Sequence, residues 1–350
     1  MSDTETTTER LQITSGERAF RLARASMYKV RGADWLVPGF VERDALHLLY
    51  GASGSLKSFL LILWLLEIWK ATGQPVVAII GEGLRGFVAR VHAAAIASHI
   101  DPDEIPFFIS SRATFLNSTD TVGDVIASLA EIEADYGPPA AIGIDTLARN
   151  AVGANENSTE EAGQIIGGLD EIRRAYHSAI IVVHHTGWGD TSRIRGSSAL
   201  LGAADFAHHI EKDNTGVARL RCAKSKDSEE PDPRAYRLAT VELPFTDDTG
   251  NTIESAVIRE IEYTEPRGKS GNTGRGKWQQ KAYSVLEQLQ GKAVDNLRNA
   301  GMDPSDARVE IKTWRVECLE SGIPKQRFYD AKNTLAETGE ITLGGGYVST

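Results

Sequence analysis

Residues Leu48–Phe59 read LLYGASGSLKSF: an apolar run, a glycine-rich turn, then the start of a segment with helical period. Gly51 and Gly54 let the backbone curl so that successive amides face inward, and the following helix N-terminus turns its positive dipole end to the same cavity. A phosphate chain fits there. Gly51, Ala52, Ser53, Gly54, Ser55, Leu56, Lys57, Ser58 and Phe59 are therefore candidate ATP-binding residues. Lys57 is placed to reach the β- and γ-phosphates, and the Ser58 hydroxyl suits Mg²⁺. Leu56 occupies the position before the lysine where glycine is usual. It keeps the amide donor but lacks glycine's freedom and small size, which bears on the loop's shape more than on phosphate binding. The competing explanation is a chance glycine turn ahead of a helix.

Outward from this loop, short apolar runs alternate with longer helical segments as far as about Asp205. The pattern predicts strands Leu46–Tyr50, Val76–Ile80, Phe107–Ser110, Ala140–Ile144 and Ala179–Val183. It predicts helices Lys57–Lys70, Leu84–Ile100, Thr121–Tyr136, Glu160–Tyr176 and Ser197–Ala204. Such alternation is the mark of an α/β protein with a mainly parallel sheet and crossover helices. Past Asp205, the stretches Val217–Ala223, Tyr236–Val241 and Val257–Ile261 suit antiparallel strands that extend the sheet.

Nucleotide hydrolysis needs one carboxylate for the metal and another to orient water against the γ-phosphate. Asp145 ends the apolar run in AAIGIDTLAR, where it can hold Mg²⁺ together with Ser58. Glu82, in VVAIIGEGLRG, follows another strand between two glycines and is the candidate to polarise water; a solvated turn carboxylate is the alternative. Glu67 and Glu160 read as surface charges. His184 and His185 end the strand Ala179–Val183. Neighbours on a strand point to opposite faces, so a shared metal is disfavoured and His185 is the candidate γ-phosphate sensor, with core packing as its alternative.

The ends of the chain read differently. The polar, acidic start MSDTETTTER lacks the pattern of a signal peptide, and residues 1–20 are expected to form a disordered tail. The nucleotide-binding domain is expected to span 21–263. The Gly-rich, polar segment TEPRGKSGNTGRG makes 264–276 a linker. Residues 277–350 offer helices at Trp278–Leu289, near Ala307–Glu320 and at Pro324–Thr338, then two short strands around Gly344–Gly346. That order suits a small winged-helix-like domain. Lys325 and Arg327 are its candidate DNA contacts; docking of a partner or subunit is the alternative use of this face.

Composition is ordinary for a globular chain, with 41% hydrophobic and 25% charged residues, and the net charge of −10 argues against indiscriminate coating of nucleic acid. The apolar run Phe59–Trp69 is too short for a bilayer and contains Glu67, so no membrane partner is expected. Cys222 and Cys318 fit no metal-ligand spacing, which suits a reducing cytoplasm.

Taken in order, GASGSLKS, IIGEGLRG, GIDTLAR, VVHHTG and RGSSALLGAADF resemble the RepA-like family, the hexameric replicative helicases of plasmids and their phage relatives. The resemblance covers about Trp35–Leu238 and implies a RecA-like P-loop core that binds ATP and Mg²⁺ between subunits of a homo-oligomeric, hexameric ring. It assigns Lys57, Ser58, Glu82, Asp145 and His185 to the catalytic parts. Lys224 and Lys226, in CAKSKDSEEPDP, match the paired basic positions that related DnaB-type helicases insert into the neighbour's ATP site, although arginine is usual at the second. A solvated strand end balanced by Asp227, Glu229 and Glu230 is the competing account of that pair.

The loops Asn150–Ser158 and Gly187–Arg195 would line a central channel. Arg193 and Arg195 are then candidate contacts to single-stranded DNA, with Trp188, which stands where lysine is common, as a stacking residue. The activity implied is translocation on single-stranded DNA with unwinding, and a primase or an origin-binding protein is the further partner implied. An ATP-switched regulator or helicase loader, and a metabolic P-loop kinase, are the competing functions; no acceptor-site or lid signature favours the kinase.

Overall fold

The computed structural model describes residues 22, 24–30, 32–151, 158–187, 194, 198–265, 276–299 and 307–349. The chain forms two compact units, residues 1–264 and 265–350.

The first unit begins with a small hairpin, β1 (Trp35–Val37) and β2 (Val41–Glu42). There follow β3 (Leu46–Gly51), α1 (Lys57–Thr72), β4 (Val76–Ile80), α2 (Leu84–Ala97), β5 (Phe107–Ile109), α3 (Thr119–Tyr136), β6 (Ala141–Asp145), α4 (Thr159–Tyr176), β7 (Ala179–His185) and α5 (Ser198–Ala203). The chain then lays down β8 (Phe206–Lys212), β9 (Val217–Ser225), β10 (Arg234–Thr246) and β11 (Thr252–Ile261). All but β1 and β2 join one nine-stranded sheet in the order β11-β10-β9-β8-β3-β7-β6-β4-β5. From β8 to β5 every neighbouring pair is parallel, and β9, β10 and β11 extend that sheet antiparallel. The unit is thus α/β with a large, mostly parallel sheet, a RecA-like P-loop core.

Strands buried on both faces explain the near-continuous apolar runs. Alternate side chains of β4 show the division: Val76, Ala78 and Ile80 pack with α1 and α2, whereas Val77 and Ile79 pack with α3 and α4. α1 is apolar nearly all round, with Leu60, Leu61, Trp64, Leu65 and Ile68 wholly buried. Each such leucine contributes roughly 1.5–3 kcal/mol on burial. Gly143 is needed for the close fit of β6, since a Cβ there would stand 2.7 Å from the Leu61 side chain.

Two features depart from the sequence reading. β8, FAHHIEK, was not anticipated: it looks polar, yet His208 is wholly buried and donates Nε2–H to the Phe40 carbonyl at 2.8 Å. Glu67 is half-buried rather than a plain surface charge, and burial raises its carboxyl pKa against the opposing pull of Arg234.

The second unit contains α6 (Lys277–Asn299), β12 (Val309–Glu310), α7 (Ile311–Glu320), α8 (Lys325–Glu337), β13 (Thr342–Gly344) and β14 (Tyr347–Ser349). Its three-stranded antiparallel sheet has the order β12-β14-β13. β12 is a strand more than the sequence pattern suggested, and α6 runs ten residues past Leu289. Trp314 and Phe328 centre the core with rings 5.0 Å apart, and the Trp314 indole donates to the Ala282 carbonyl at 2.8 Å. Gly322, at φ 82°, makes the tight turn between α7 and α8. The predicted tail 1–20 and nearly all of the predicted linker 264–276 lie outside the described residues.

Candidate functional site

The glycine-rich turn leaves β3 and enters α1 as the sequence demands. A Cβ on Gly51 would collide with the Ile210 carbonyl of neighbouring β8, and Gly54 adopts φ 75°. Leu56, at the usual glycine position, also adopts the left-handed conformation at φ 74°. Such backbone costs a non-glycine residue roughly 1–2 kcal/mol. The compensation lies in its side chain, which is 7% exposed and packed in the core shared with α1 and α2.

Lys57 sits at the first position of α1, almost wholly buried. Its ammonium donates to the carbonyls of Gly51 at 2.9 Å and Ala52 at 2.7 Å. Burial lowers its pKa to about 8, and the nearby Asp145 carboxylate opposes that shift. Asp145 is itself buried, which raises its pKa; the Ser58 hydroxyl, which donates to it, and the charges of Lys57 and Arg90 pull the other way. Ser58 and Asp145 thus supply adjacent hard oxygen donors, the chemistry that suits Mg²⁺.

A cavity of about 460 Å³ opens over this loop. It is lined by Ser53–Phe59 and by Glu82, Arg90, Asp145 and His185, among others. These side chains arrive from different strands. β7 lies between β3 and β6, so the P-loop strand and the Asp145 strand are not neighbours; β6 in turn pairs with β4, which leads to Glu82. His185 at the end of β7 lines the cavity whereas His184 is buried, the opposite facing expected of adjacent strand residues.

The glycines around Glu82 have separate tasks. Gly83 takes φ 69° at the start of α2, and Gly81 leaves room for the Cβ of Arg149, which occupies the space its own Cβ would need. Arg149 follows β6 in a short 3₁₀ turn, Leu147–Arg149, and its guanidinium lies 2.7 Å from the Glu82 carboxylate.

Sequence reasoning missed Arg149 and Arg90. Arg90 lies on α2 one turn beyond Phe87, another residue of the cavity wall, and its guanidinium sits 4.7 Å from the centre of the Phe59 ring. The only signal in sequence was the spacing of 87 and 90 on one helical face after Glu82.

Other predicted residues are placed elsewhere. The Lys224 ammonium donates to the carbonyls of Leu201 and Gly202 at 2.9 Å and Ala204 at 2.5 Å, closing the C-terminus of α5. Lys226 pairs with Asp205 at 3.3 Å. Both lysines are therefore engaged within their own chain, and neither lines the cavity. Lys325 and Arg327 are exposed on α8, with Arg327 3.7 Å from Asp330. Arg193, Arg195 and Trp188 lie outside the described residues.

Among the described residues no helix is long and apolar enough to cross a membrane, and no group of three or more metal-binding side chains occurs.

Residues 15–191, half of the 350-residue chain, match the model of the AAA domain family, and the chain belongs to that family. It is a nucleotide-binding P-loop ATPase. No curated protein matches the chain.

Proposed function

We propose that this chain is a Mg²⁺-ATP-driven motor of the RepA-like kind, a ring-shaped helicase that translocates on single-stranded DNA. The observation that carries the reading is the convergence of Glu82, Asp145 and His185, from the ends of three parallel strands, on the cavity above Lys57. A motor must couple a change at the γ-phosphate to movement, and these strand ends run directly into the loops that follow β6 and β7.

In this reading the P-loop amides and Lys57 hold the phosphate chain. Ser58 and Asp145 hold Mg²⁺, which neutralises charge on the β- and γ-oxygens when bound. The Glu82 carboxylate orients water and accepts its proton. His185 and Arg90 face the region of the γ-phosphate and respond to its loss. Lys224 and Lys226 reach a neighbouring subunit's phosphates only if their bonds to α5 and Asp205 open. The exposed cations of α8, in a unit of three helices and a small antiparallel sheet resembling a winged helix, supply a second DNA contact.

The test is ATPase activity with and without single-stranded DNA, together with unwinding of a forked duplex. Stimulation with unwinding is expected. Stimulation without unwinding assigns the chain to the ATP-switched loaders or regulators, and absence of both effects overturns the proposal.

A further inference from the structure

Asn150 closes the 3₁₀ turn Leu147–Arg149 that follows β6, and it is wholly buried. A buried amide side chain needs partners for both of its ends. Its Oδ1 accepts the Thr114 N–H at 3.0 Å, and its Nδ2 donates to the Thr146 carbonyl at 3.0 Å. The backbone is used as fully: the Asn150 N–H donates to the carbonyls of Thr146 at 3.1 Å and Leu147 at 2.9 Å, and the Asn150 carbonyl accepts the Leu116 N–H at 2.9 Å. One residue thereby ties the turn to the segment Thr114–Leu116 between β5 and α3.

That segment is a firm anchor. Thr114 and Leu116 are buried, and Leu116 shares a core with Leu147, Ala151 and Leu169 of α4. The Leu116 carbonyl fills the space that a Cβ on Gly168 of α4 would need, so the segment and the helix meet backbone to backbone. Close-packed interiors of this kind transmit position with little give.

The exposed member of the anchored turn is Arg149, with its Cβ against Gly81 and its guanidinium on Glu82. An ion pair this exposed is weak when both partners move freely. Here one partner is fixed. Glu82 lies between two glycines, whereas the Arg149 backbone is held by the bonds of its neighbour Asn150, so less freedom remains to be lost when the pair forms. The persistence of the pair therefore depends on Asn150.

We propose that Asn150 is a positioning residue for hydrolysis: by pinning the turn after β6 it keeps Arg149 on Glu82 and so holds the carboxylate off the attacking water, a brake on basal turnover. This role rests on Glu82 being the group that orients water.

Steady-state ATPase of the full chain tests it in Asn150→Ala, Asn150→Asp, Arg149→Ala, the double variant Asn150→Ala/Arg149→Ala and Glu82→Gln. Asn150→Ala removes both side-chain bonds, and Asn150→Asp keeps the acceptor for Thr114 while losing the donor to Thr146. Each should raise kcat at least about twofold as the carboxylate is freed, with KM for ATP within about twofold because the P-loop and Lys57 are untouched. Damage to the fold lowers kcat, so a rise separates a released brake from loosened packing. In the Arg149→Ala background Asn150→Ala should add nothing, since both act through one carboxylate. An unchanged or lowered kcat in the folded Asn150 variants, or effects of the two substitutions that multiply, overturns the proposal. Circular dichroism identifies the folded variants. Should neither Asn150 variant fold, Gly81→Ala, whose new Cβ would collide with that of Arg149, displaces the arginine by another route and should also raise kcat; no rise there overturns the proposal. Glu82→Gln keeps the two readings apart: lost hydrolysis beside unchanged Asn150 variants removes the brake alone, whereas retained hydrolysis removes the role of Glu82 and the brake with it.

Discussion

Arg149 and Glu82 form an ion pair with 2.7 Å between a guanidinium nitrogen and a carboxylate oxygen, one partner following β6 and the other following β4. Both side chains are more than half exposed, so the pair adds little to stability. Its weight falls on the site, where it engages the carboxylate assigned to water. Arg149→Ala is expected to leave unfolding by urea unchanged within about 0.5 kcal/mol. Basal ATP turnover should rise at least about twofold as the carboxylate is freed. Unchanged turnover would make the pair a surface feature only.

Leu56 sets backbone strain against burial. Leu56→Gly relieves about 1–2 kcal/mol of left-handed strain but forfeits roughly 1.5–3 kcal/mol of burial. Leu56→Ala forfeits the side chain and keeps the strain, for a loss of about 2–5 kcal/mol. Equilibrium unfolding should therefore rank wild type above Gly, and Gly above Ala. An Ala variant as stable as the Gly variant would contradict the strain assigned to this position.

Lys57, with a pKa of about 8, is half neutral at that pH before phosphate arrives. Phosphate charge favours the ammonium, so binding takes up a proton at pH 8 and above. Nucleotide affinity measured by calorimetry should fall about tenfold between pH 7 and pH 9, with heats that vary with the buffer's ionisation enthalpy. Affinity that stays flat across this range would contradict the buried-lysine geometry.

His47 and His208 give the fold an acid limit. Their rings stack at 6.3 Å between centres, each donates Nε2–H to a carbonyl, and neither Nδ1 has a partner among the described residues. Burial lowers their pKa values to about 4 and about 3. The unfolded histidines, at about 6.5, bind protons first, so stability is full above pH 6.5 and is lost as pH falls toward 4. At pH 5 the loss is about 2 kcal/mol per histidine. Urea unfolding at pH 7 and pH 5 measures it, and equal stability at the two values would contradict the burial of the pair.

Local signals carried most of the fold. Apolar runs ending in Gly, Asp or His marked β3, β4, β6 and β7 because strands buried on both faces admit little else, and Ser158 capping Glu161 opens α4 close to its expected start. β8 was illegible for the opposite reason: His208 looks polar in sequence, and only the Phe40 carbonyl across the β1–β2 connection makes it a core residue. Arg90 and Arg149 escaped because their partners, Phe59 and Glu82, lie on other elements. Lys224 and Lys226 were read as a projecting pair from their spacing, while their bonds to α5 and Asp205 depend on contacts that spacing does not encode.

In the proposed function the P-loop binds nucleotide while Glu82 drives its hydrolysis. The most direct test compares Glu82→Gln with wild type in nucleotide affinity and single-turnover hydrolysis. Affinity should stay within about threefold, because phosphate binding rests on the loop and Lys57, while hydrolysis falls on the order of a hundredfold or more. Hydrolysis near the wild-type rate, or lost affinity with intact chemistry in the remaining complex, would contradict it.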